Sequence, residues 1–398
     1  MSHVKIDAQV LGMHREKFRT ELYDNVLAFW LRYSLDHEHG GFFNCLDRDG
    51  RPYDFKKHVW LQGRQTWMMS KIYNANRDKA DAQQYLDAAE LGATFLRKHA
   101  KTADNRVYFC LTRDGKPVSM QRKIFSECFY VMALSEYARA SGDQTARDEA
   151  RELFDAVLTY AKDPTLVGRP VYEGTPKLSS LAVPMILLNL IEEVNDPGEN
   201  SYADVAKWCV ERINMHTRPE LSLVLEMVGT DGKLVDTPEG RLVNPGHAIE
   251  AAWFLMDYAR KHNDESLLRQ AIRIMEWSFD FGWDEQYGGL FYFLDRDGYS
   301  PLQLEWNMKL WWPHCEAMIA YLMAYQATGD DKYFKRFEHL TDYSFKHFSD
   351  PEHGEWFGYL DRQGKMSQRF KGGPYKGCFH VPRALFICER ILGELMNG

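Results

Sequence analysis

Apolar residues recur every three or four positions over long stretches of the chain, which is the spacing of one face of an α-helix. Two examples are QTARDEARELFDAVLTYAKD at 144–163 and HAIEAAWFLMDYARKH at 247–262. The helical stretches end in polar breaks at Asp78, Asp143, Asp196, Asp264 and Asp330. Because these breaks are 65, 53, 68 and 66 residues apart, the pattern predicts a helical protein made of regularly spaced units.

A second pattern, in which aromatic and polar residues alternate before a glycine turn, occurs four times. It is found in HEHGGFFNCLDRDG (37–50), NRVYFCLTRDG (105–115), DEQYGGLFYFLDRDG (284–298) and EHGEWFGYLDRQG (352–364). Runs of this kind predict short β-hairpins or extended loops. Their arginines, Arg48, Arg113, Arg296 and Arg362, are 65, 183 and 66 residues apart, and the middle gap is close to three periods.

A unit of two helices and a loop cannot bury its apolar faces alone, so such units must stack or close on one another. The 398 residues hold about six periods. We therefore predict an all-α (α/α)6 barrel, a ring of six helical hairpins with the β-hairpins gathered at one end. No linker interrupts the chain, which favours a single domain over residues 1–398. An open solenoid is the alternative, but the chain lacks obviously polar capping units.

Composition mainly excludes classes of function. The net charge of −8 and the absence of a basic run argue against a nucleic-acid or anionic-membrane partner. The first thirty residues carry charges throughout, so we expect neither a signal peptide nor a membrane span, and a cytoplasmic location. Seven cysteines without a CxxC pair favour reduced thiols over disulfides or structural zinc. The aromatic content of 14% suits the lining of a sugar-sized pocket.

Candidate chemistry concentrates where helices are predicted to begin. In NPGHAIEAAW, a Pro-Gly break places His247 near a helix N-terminus with Glu250 one turn further on, close enough to hydrogen-bond. Similar entries are WWPHCEAM, with His314 and Glu316, and KGCFHVPR, with His380 and Arg383. Core packing alone does not predict three histidines at three helix entries, so His247 and His380 are candidates for proton transfer.

Other kinds of catalysis lack their usual sequence signals. The chain has no GxSxG elbow, no GxGxxG or GxxxxGK[ST] phosphate loop and no HExxH pair. What remains is proton transfer by histidine, with glutamate and arginine to orient the bases and to stabilise negative charge.

Seven segments, in order along nearly the whole chain, carry a family resemblance. They are WLQGRQTW, RKIFSECFY, LAVPMILLNL, NPGHAIEAAWF, QLEWNMKLWWPH, DPEHGEWFGYL and KGGPYKGCFHVPR. Together they resemble the N-acylglucosamine 2-epimerase family, whose mammalian members are also called renin-binding protein. The resemblance implies an (α/α)6 barrel, in agreement with the repeat count. It also implies an isomerase that interconverts N-acetyl-D-glucosamine and N-acetyl-D-mannosamine at C2 without a metal or redox cofactor.

That reaction would explain the histidines. In the ring-opened sugar, the hydrogen on C2 becomes acidic once the neighbouring carbonyl oxygen is hydrogen-bonded. The enediolate that forms is planar, and reprotonation from its other face inverts C2. The reaction therefore needs a base on one face and an acid on the other.

The resemblance also implies roles for individual residues. His247 and His380 take the acid and base roles, and which histidine serves which face stays open. Arg64 suits an oxyanion at O1 or O2, and Glu316 suits a contact with His314 or a sugar hydroxyl. The other candidates for contacting the substrate are Trp60, Asn189, Glu226, Glu250, Trp306, Trp312, His314 and Arg383. No extra histidine stands where the chain reads PMILL, which favours an N-acyl sugar over cellobiose.

Effectors and partners follow from the resemblance alone. Some family members are stimulated by ATP that is not consumed, and KGGPYK at 371–376 is a candidate segment for binding it. A homodimer is expected on the same basis. Three alternatives remain. They are another sugar epimerase or isomerase of the same superfamily, such as a cellobiose 2-epimerase, a glycoside hydrolase or lyase that uses Glu250, Glu305 and Glu316, and a non-enzymatic partner of renin.

Overall fold

The computed structural model describes residues 6–397, in which twelve helices account for most of the structure. Helix α1 occupies residues 8–33 in three successive parts, Ala8–Thr20, a π-helical stretch Glu21–Leu27, and Ala28–Tyr33. The others are α2 (Val59–Ala75), α3 (Gln83–His99), α4 (Phe125–Ser141), α5 (Gln144–Lys162), α6 (Ala182–Val194), α7 (Ala203–His216), α8 (Pro245–Lys261), α9 (Glu265–Gly282), α10 (Trp311–Thr328), α11 (Asp331–Phe348) and α12 (His380–Asn397).

Within the same range there are fourteen strands of two or three residues. They are β1 (Cys45–Leu46), β2 (Pro52–Asp54), β3 (Lys57–His58), β4 (Cys110–Leu111), β5 (Pro117–Ser119), β6 (Leu178–Ser180), β7 (Thr217–Arg218), β8 (Leu223–Val224), β9 (Met227–Gly229), β10 (Leu242–Val243), β11 (Leu294–Asp295), β12 (Lys309–Leu310), β13 (Tyr359–Leu360) and β14 (Met366–Gln368). All pairings are antiparallel, in the sets β1-β2, β3-β4-β5, β6-β9, β7-β8, β10-β11 and β12-β13-β14.

The helices form two concentric rings. Even-numbered helices pack against the next even-numbered helix and form the inner ring, and each odd-numbered helix packs outside an inner one. Nearly every residue of α4 is buried, whereas α5 and α9 each bury a single apolar face. Helix α12 closes the ring by pairing with α1, where Arg15 Nε lies 2.8 Å from Glu389 Oε1. The predicted (α/α)6 barrel is confirmed, and the open solenoid is wrong.

Long and short connections lie at opposite ends of the barrel. Every strand lies in a connection from an outer helix to the next inner helix, whereas the connections from inner to outer helices are short. Because successive helices run antiparallel, all the strands gather at the end where the inner helices begin. The predicted polar breaks lie in the short turns, where Asp143, Asp264 and Asp330 cap the N-termini of α5, α9 and α11.

Three of the four aromatic runs form the predicted β-hairpins, which are β1-β2, β4-β5 and β13-β14. The run at 284–298 does not. Its strand β11 pairs instead with β10 of the preceding connection. The chain after this run reads YSPLQ, and Pro301 cannot donate a hydrogen bond to a returning strand.

In and beside these runs, one kind of ion-pair cluster recurs, in which an aspartate binds a buried lysine and an arginine. We call it the lysine clamp. In the first, Asp36 receives Lys57 Nζ at 2.9 Å and Arg113 Nε at 2.9 Å. The lysine is fully buried, and the arginine comes from the aromatic run of the neighbouring unit. The other two clamps are Asp284 with Lys309 and Arg362, and Asp350 with Lys371 and Arg48. In the third clamp, Arg48 of the first run binds Asp350 beside the last run, so the clamp spans the closure of the ring.

Two further expectations concern membranes and cysteines. In the part of the chain that the structure describes, no helix combines the length and the apolar composition that crossing a bilayer requires. All seven cysteines lie in that part, and they are buried and not joined by disulfides.

Candidate active site

The polar candidates converge because the inner helices all begin at the strand end of the barrel. The converging residues lie in the first two turns of α2, α8, α10 and α12, namely Arg64, His247, Glu250, Trp312, Glu316, His380 and Arg383. Residues far apart in sequence are thus brought to one end of the central lumen.

His247 is fixed at the start of α8 by its backbone and by its ring. The side chain of Asn244 caps the helix and accepts a hydrogen bond from the backbone N–H of His247 at 3.2 Å. Ring atom Nδ1 of His247 lies 2.9 Å from Oε2 of Glu226, which sits between β8 and β9. This contact leaves Nε2 as the ring nitrogen free for a ligand.

The carboxylates around His247 favour its charged form. Burial alone lowers the pKa of His247, but attraction to Glu226, with smaller contributions from Glu250 and Glu316, outweighs burial and raises the pKa above its ordinary value. The imidazole therefore keeps its proton to a higher pH than an ordinary histidine does.

His380 forms a second pair of the same kind with a different outcome. Its Nδ1 lies 2.7 Å from Oε1 of Glu316. The same Oε1 lies 2.7 Å from a guanidinium nitrogen of Arg383, Nη2, which also lies 2.6 Å from Oε1 of Glu250. Burial, followed by repulsion from Arg383, lowers the pKa of His380 well below its ordinary value. His380 is therefore neutral near pH 7.

Trp312 lies against both imidazoles. Its ring centroid is 5.3 Å from that of His247 and 5.8 Å from that of His380. On another side it meets Tyr292, a residue the sequence pattern did not predict, at 6.1 Å. A Cβ atom at Gly246 would lie 2.5 Å from the Trp312 ring, so a residue without a side chain is required there. The two histidines thus share one aromatic wall.

Arg64 presents a guanidinium group without an ion-pair partner. Its Cζ lies over three rings, 4.1 Å from Phe129, 5.1 Å from Phe379 and 5.2 Å from Trp60. Nε is buried without a hydrogen-bond partner, and none of the salt bridges among residues 6–397 involves Arg64. Burial lowers the pKa of Arg64 to about 9, which still leaves the group charged at neutral pH. Unpaired donors of this kind suit an oxyanion.

Two predicted contacts of the polar set are wrong. His247 pairs with Glu226 and not with Glu250, which instead binds Arg383. Glu316 does not hold His314, because its oxygens bind His380, Arg383 and the indole N–H of Trp253. Arg383, predicted to contact substrate, is turned toward these carboxylates and is buried.

His314 lies outside this group of residues. It is fully buried, its Nε2 accepts the backbone N–H of Leu290 at 2.9 Å, and its Nδ1 lies 2.6 Å from the carbonyl oxygen of Leu310. Both ring nitrogens are therefore occupied by backbone atoms. His314 joins a loop to the start of α10, and the predicted contact with a sugar is not available to it.

The remaining candidates are Trp60, Trp306 and Asn189. Trp60 donates its indole N–H to the carbonyl oxygen of Pro374 at 3.0 Å and stands beside Arg64. Trp306 lies in the loop before β12, with its ring centroid 6.2 Å from that of Phe291. Asn189 lies on α6 with a buried Oδ1 that has no partner within the described residues. Within residues 6–397, no hydrogen bond links these three to the histidines.

Trp253 is a site residue that the sequence did not single out. Its indole N–H donates to Oε2 of Glu316 at 2.9 Å, which fixes the carboxylate that holds His380. Trp253 follows Glu250 by three residues on α8, so helical spacing places both on one face. That spacing is the signal that could have identified it.

The segment proposed for ATP is not open to a phosphate. Lys371 and Lys376 are fully buried and bind Asp350 and Glu355, each at 2.9 Å. Both ammonium groups are therefore paired inside the protein. The hypothesis that the lysines of KGGPYK bind the phosphates of ATP is wrong, because neither lysine is free to do so.

A large cavity lies at the other end of the barrel. It has a volume of about 1050 Å³ and is lined by residues near the C-terminal ends of inner helices. Cations in its lining pair with carboxylates of the same lining, for example Arg139 with Glu136 at 2.6 Å and Lys261 with Glu192. The histidines are not among the lining residues.

Among the described residues, one group of three side chains could approach a metal ion, namely Glu250, Glu316 and His380. The guanidinium of Arg383 already lies among them, within 2.7 Å of both carboxylates. A resident positive charge thus occupies the position that a cation would take.

Comparisons with known proteins show which family the chain belongs to. The sequence model of the N-acylglucosamine 2-epimerase (GlcNAc 2-epimerase) family matches residues 41–384. The chain is 47% identical to the N-acylglucosamine 2-epimerase of Mus musculus, over 98% of this chain and 94% of that protein. It is 46% identical to that of Homo sapiens, over 98% and 93%. The cellobiose 2-epimerase of Bacillus thermoamylovorans has the same fold, with a TM-score of 0.82, 22% identity and coverage of 96% of this chain and 99% of that one. The resemblance carried by the seven sequence segments is confirmed, and the chain belongs to the N-acylglucosamine 2-epimerase family.

Proposed function

We propose that this epimerase interconverts N-acetyl-D-glucosamine and N-acetyl-D-mannosamine by moving a proton between the two faces of C2, with His380 and His247 as the two proton-transfer groups. The observation that carries this assignment is the pair of His–Glu contacts whose histidines both lie against Trp312. Their surroundings move the two pKa values in opposite directions. Divergent pKa values in one site are typical of an acid and a base that act together.

The chemistry follows from that arrangement. Neutral His380 takes the C2 proton of the ring-opened sugar through Nε2 and becomes an imidazolium. The electrons of the C–H bond form the enediolate, whose negative oxygen is stabilised by the unpaired donors of Arg64. Protonated His247 then gives its proton to the opposite face of C2. The reverse reaction starts from the exchanged protonation state, with His247 neutral and His380 charged.

The glycoside hydrolase alternative fits the geometry poorly. Glu250 and Glu316 share one nitrogen of Arg383, at 2.6 and 2.7 Å, and Glu305 is exposed on a loop. A glycosidase needs one carboxylate on each side of the bond it cleaves, whereas here a guanidinium group fills the space between the two.

Finer properties are proposed from the names of the relatives and from the family resemblance. They are a preference for an N-acyl sugar, a homodimer, stimulation by ATP that is not hydrolysed, and a cytoplasmic location. Binding to renin is retained as the non-enzymatic alternative. It would not require the two His–Glu pairs.

Proton NMR of N-acetyl-D-mannosamine with the purified protein in D2O tests the proposal. We expect N-acetyl-D-glucosamine to appear with deuterium at C2, because solvent deuterons reach the histidine that reprotonates that carbon. Cellobiose and D-mannose serve as control sugars, and each is run with and without ATP. If neither amino sugar converts or exchanges under any condition, the proposed reaction is wrong.

A further inference from the structure

We propose that Arg383 is a positioning residue that makes the two His–Glu pairs unequal, keeping His380 as the base while His247 remains the acid. This inference rests on the proposed function and deepens it. The sequence suggested a contact between Arg383 and the substrate, but the structure turns this side chain away from that role.

The two pairs are alike in their first contact. Each histidine directs Nδ1 at a buried glutamate, at 2.7 Å for His380 with Glu316 and at 2.9 Å for His247 with Glu226. The two pairs differ in what else the glutamate binds. Oε1 of Glu316 is shared with Arg383 at 2.7 Å, whereas within residues 6–397 no lysine or arginine forms an ion pair with Glu226. A carboxylate that already binds a cation stabilises an imidazolium less.

The contacts of Arg383 also fix the tautomer of His380. Nη2 carries two protons, and carboxylates lie 2.6 and 2.7 Å away to receive them. Its contact with Nδ1 of His380 is 3.4 Å, which is longer than either. Nδ1 therefore donates its own proton to Glu316, and the lone pair of the neutral ring is on Nε2.

The other charged groups around each histidine support the same difference. Those that face His380 are Arg383 from α12, Glu316 from α10, Glu250 and His247 from α8, and Arg64 from α2. Those that face His247 are Glu226 from the β8–β9 segment, Glu250 from its own helix and Glu316 from α10. Two guanidinium groups as well as carboxylates thus face the base, whereas the charged groups that face the acid are carboxylates. His216, which is also buried and lies near Glu226, is held neutral by burial, which lowers its pKa.

Arg383 is itself held firmly. Its side chain is buried, with Cζ 4.4 Å from the Phe379 ring and 5.3 Å from the Trp253 ring. Arg64 lies over the same Phe379 ring at 5.1 Å. Both guanidinium groups therefore contact the Phe379 ring. They differ in their partners, because Arg383 donates to carboxylates whereas Arg64 forms no ion pair within residues 6–397.

We expect His380 to set the low-pH limb of the pH profile of kcat/KM and His247 to set the high-pH limb. Turnover needs one proton shared by the two histidines, so kcat/KM falls at low pH when His380 gains a second proton and at high pH when His247 loses its own. Removing Arg383 leaves two carboxylates beside His380 without their cation. That change raises the pKa of His380 and shifts the low-pH limb toward higher pH.

The experiment compares pH profiles of kcat/KM for wild type, Arg383→Gln and Glu226→Gln. We expect Arg383→Gln to move the low-pH limb up by about 1–3 pH units and to leave the high-pH limb in place. Glu226→Gln should shift the high-pH limb toward lower pH, because it lowers the pKa of His247, and should leave the low-pH limb in place. If Arg383→Gln lowers kcat with both limbs unmoved, Arg383 has only a structural role and the inference is overturned.

Two further variants keep the test decisive if Arg383→Gln does not fold. Arg383→Lys retains a cation and should keep both limbs near their wild-type positions. Glu250→Gln removes one carboxylate while Arg383 stays, which should lower the pKa of His380. The low-pH limb should therefore shift toward lower pH, in the direction opposite to its shift in Arg383→Gln. If Glu250→Gln moves that limb upward or not at all, the inference is wrong.

A measurement without turnover separates this inference from the proposed reaction. The ring carbon resonances of His380 and His247, assigned through His→Asn variants, report each protonation state by NMR in the absence of sugar. A raised His380 midpoint in Arg383→Gln supports the positioning role even if the D2O experiment finds no epimerisation. An unchanged midpoint overturns that role even if epimerisation is observed.

Discussion

At the scale of single residues, what a side chain can do here depends on what holds it. His247, His314 and His380 enter helices in similar sequence contexts. His314 has both ring nitrogens occupied by backbone atoms, whereas the other two have one nitrogen on a glutamate and one free. The number of free ring nitrogens, and not the motif, separates a structural histidine from a candidate proton-transfer group.

We expect His380→Asn and His247→Asn to lower epimerisation by about 10²–10⁴-fold each, because each removes one of the two proton-transfer groups. The remaining histidine can still exchange the C2 hydrogen that faces it. In D2O, each variant should therefore incorporate deuterium into only one of the two epimers, and the two variants should differ in which epimer exchanges. Proton NMR of each sugar measures this. Equal exchange of both epimers by either variant would contradict a two-base mechanism.

His314→Asn is the matched control for these variants. We expect turnover per folded molecule to stay near wild type, because the ring lies outside the site. Loss of its hydrogen bonds to Leu290 and Leu310 should cost about 1–3 kcal/mol in the free energy of unfolding. Urea unfolding and the epimerisation assay measure the two effects separately.

At the scale of elements, the site is built by the starts of inner helices, and the clamps fix the connections that precede them. Lys309 and Lys371 have pKa values lowered to about 8 by burial, and each is paired with an aspartate. In the second clamp, burial alone would raise the pKa of Asp284, but Arg362 and Lys309 lower it to about 2. The ion pair therefore persists from mildly acidic to neutral pH.

Asp284→Asn should destabilise the protein by about 3–5 kcal/mol at pH 7, because it leaves Lys309 buried and unpaired. The loss should shrink as the pH rises through about 8, since the folded protein then holds Lys309 without its proton. Urea unfolding at pH 7 and pH 9 tests the sign. The double variant Asp284→Asn with Lys309→Met should recover part of the loss at pH 7, and a loss that is the same at both pH values would contradict this account.

At the scale of the whole molecule, closing the ring pairs the first helix with the last, and the last helix begins at the active site. Helix α12 begins with His380 and packs on α1. The clamp of Asp350, Lys371 and Arg48 joins the first aromatic run to the loop that leads into α12. Ring closure and the position of His380 are thus mechanically connected.

Asp350→Asn and Asp36→Asn remove the same group from equivalent clamps, one at the ring closure and one between the first two aromatic runs. We expect Asp350→Asn to speed amide hydrogen exchange in α1 and α12 and to reduce epimerisation, because it loosens the loop before His380. Asp36→Asn should speed exchange mainly in α1 to α3 and affect turnover less. Hydrogen exchange with mass spectrometry tests this, and equal effects on α12 would contradict the role of closure.

The sequence by itself determined the number of helical pairs, the turns capped by Asp143, Asp264 and Asp330, and the short list that contains both histidines. These features depend on local spacing, because helix periodicity and capping act over a few residues. The family resemblance added the direction of the chemistry. It implied proton transfer by His247 and His380 but left His314 among the substrate contacts, because the local context does not show that both ring nitrogens of His314 bind backbone atoms.

Only the tertiary structure decided which groups meet. Glu226 lies 21 residues from His247, Glu316 lies 64 from His380, and Glu250 lies 133 from Arg383. Periodicity states which face of a helix a residue occupies, but not which neighbour the closed ring places against that face. The protonation states of the two histidines depend on those long-range contacts, because charge and burial within a few ångströms set a pKa. The identity of the acid and the base was therefore beyond the reach of sequence spacing.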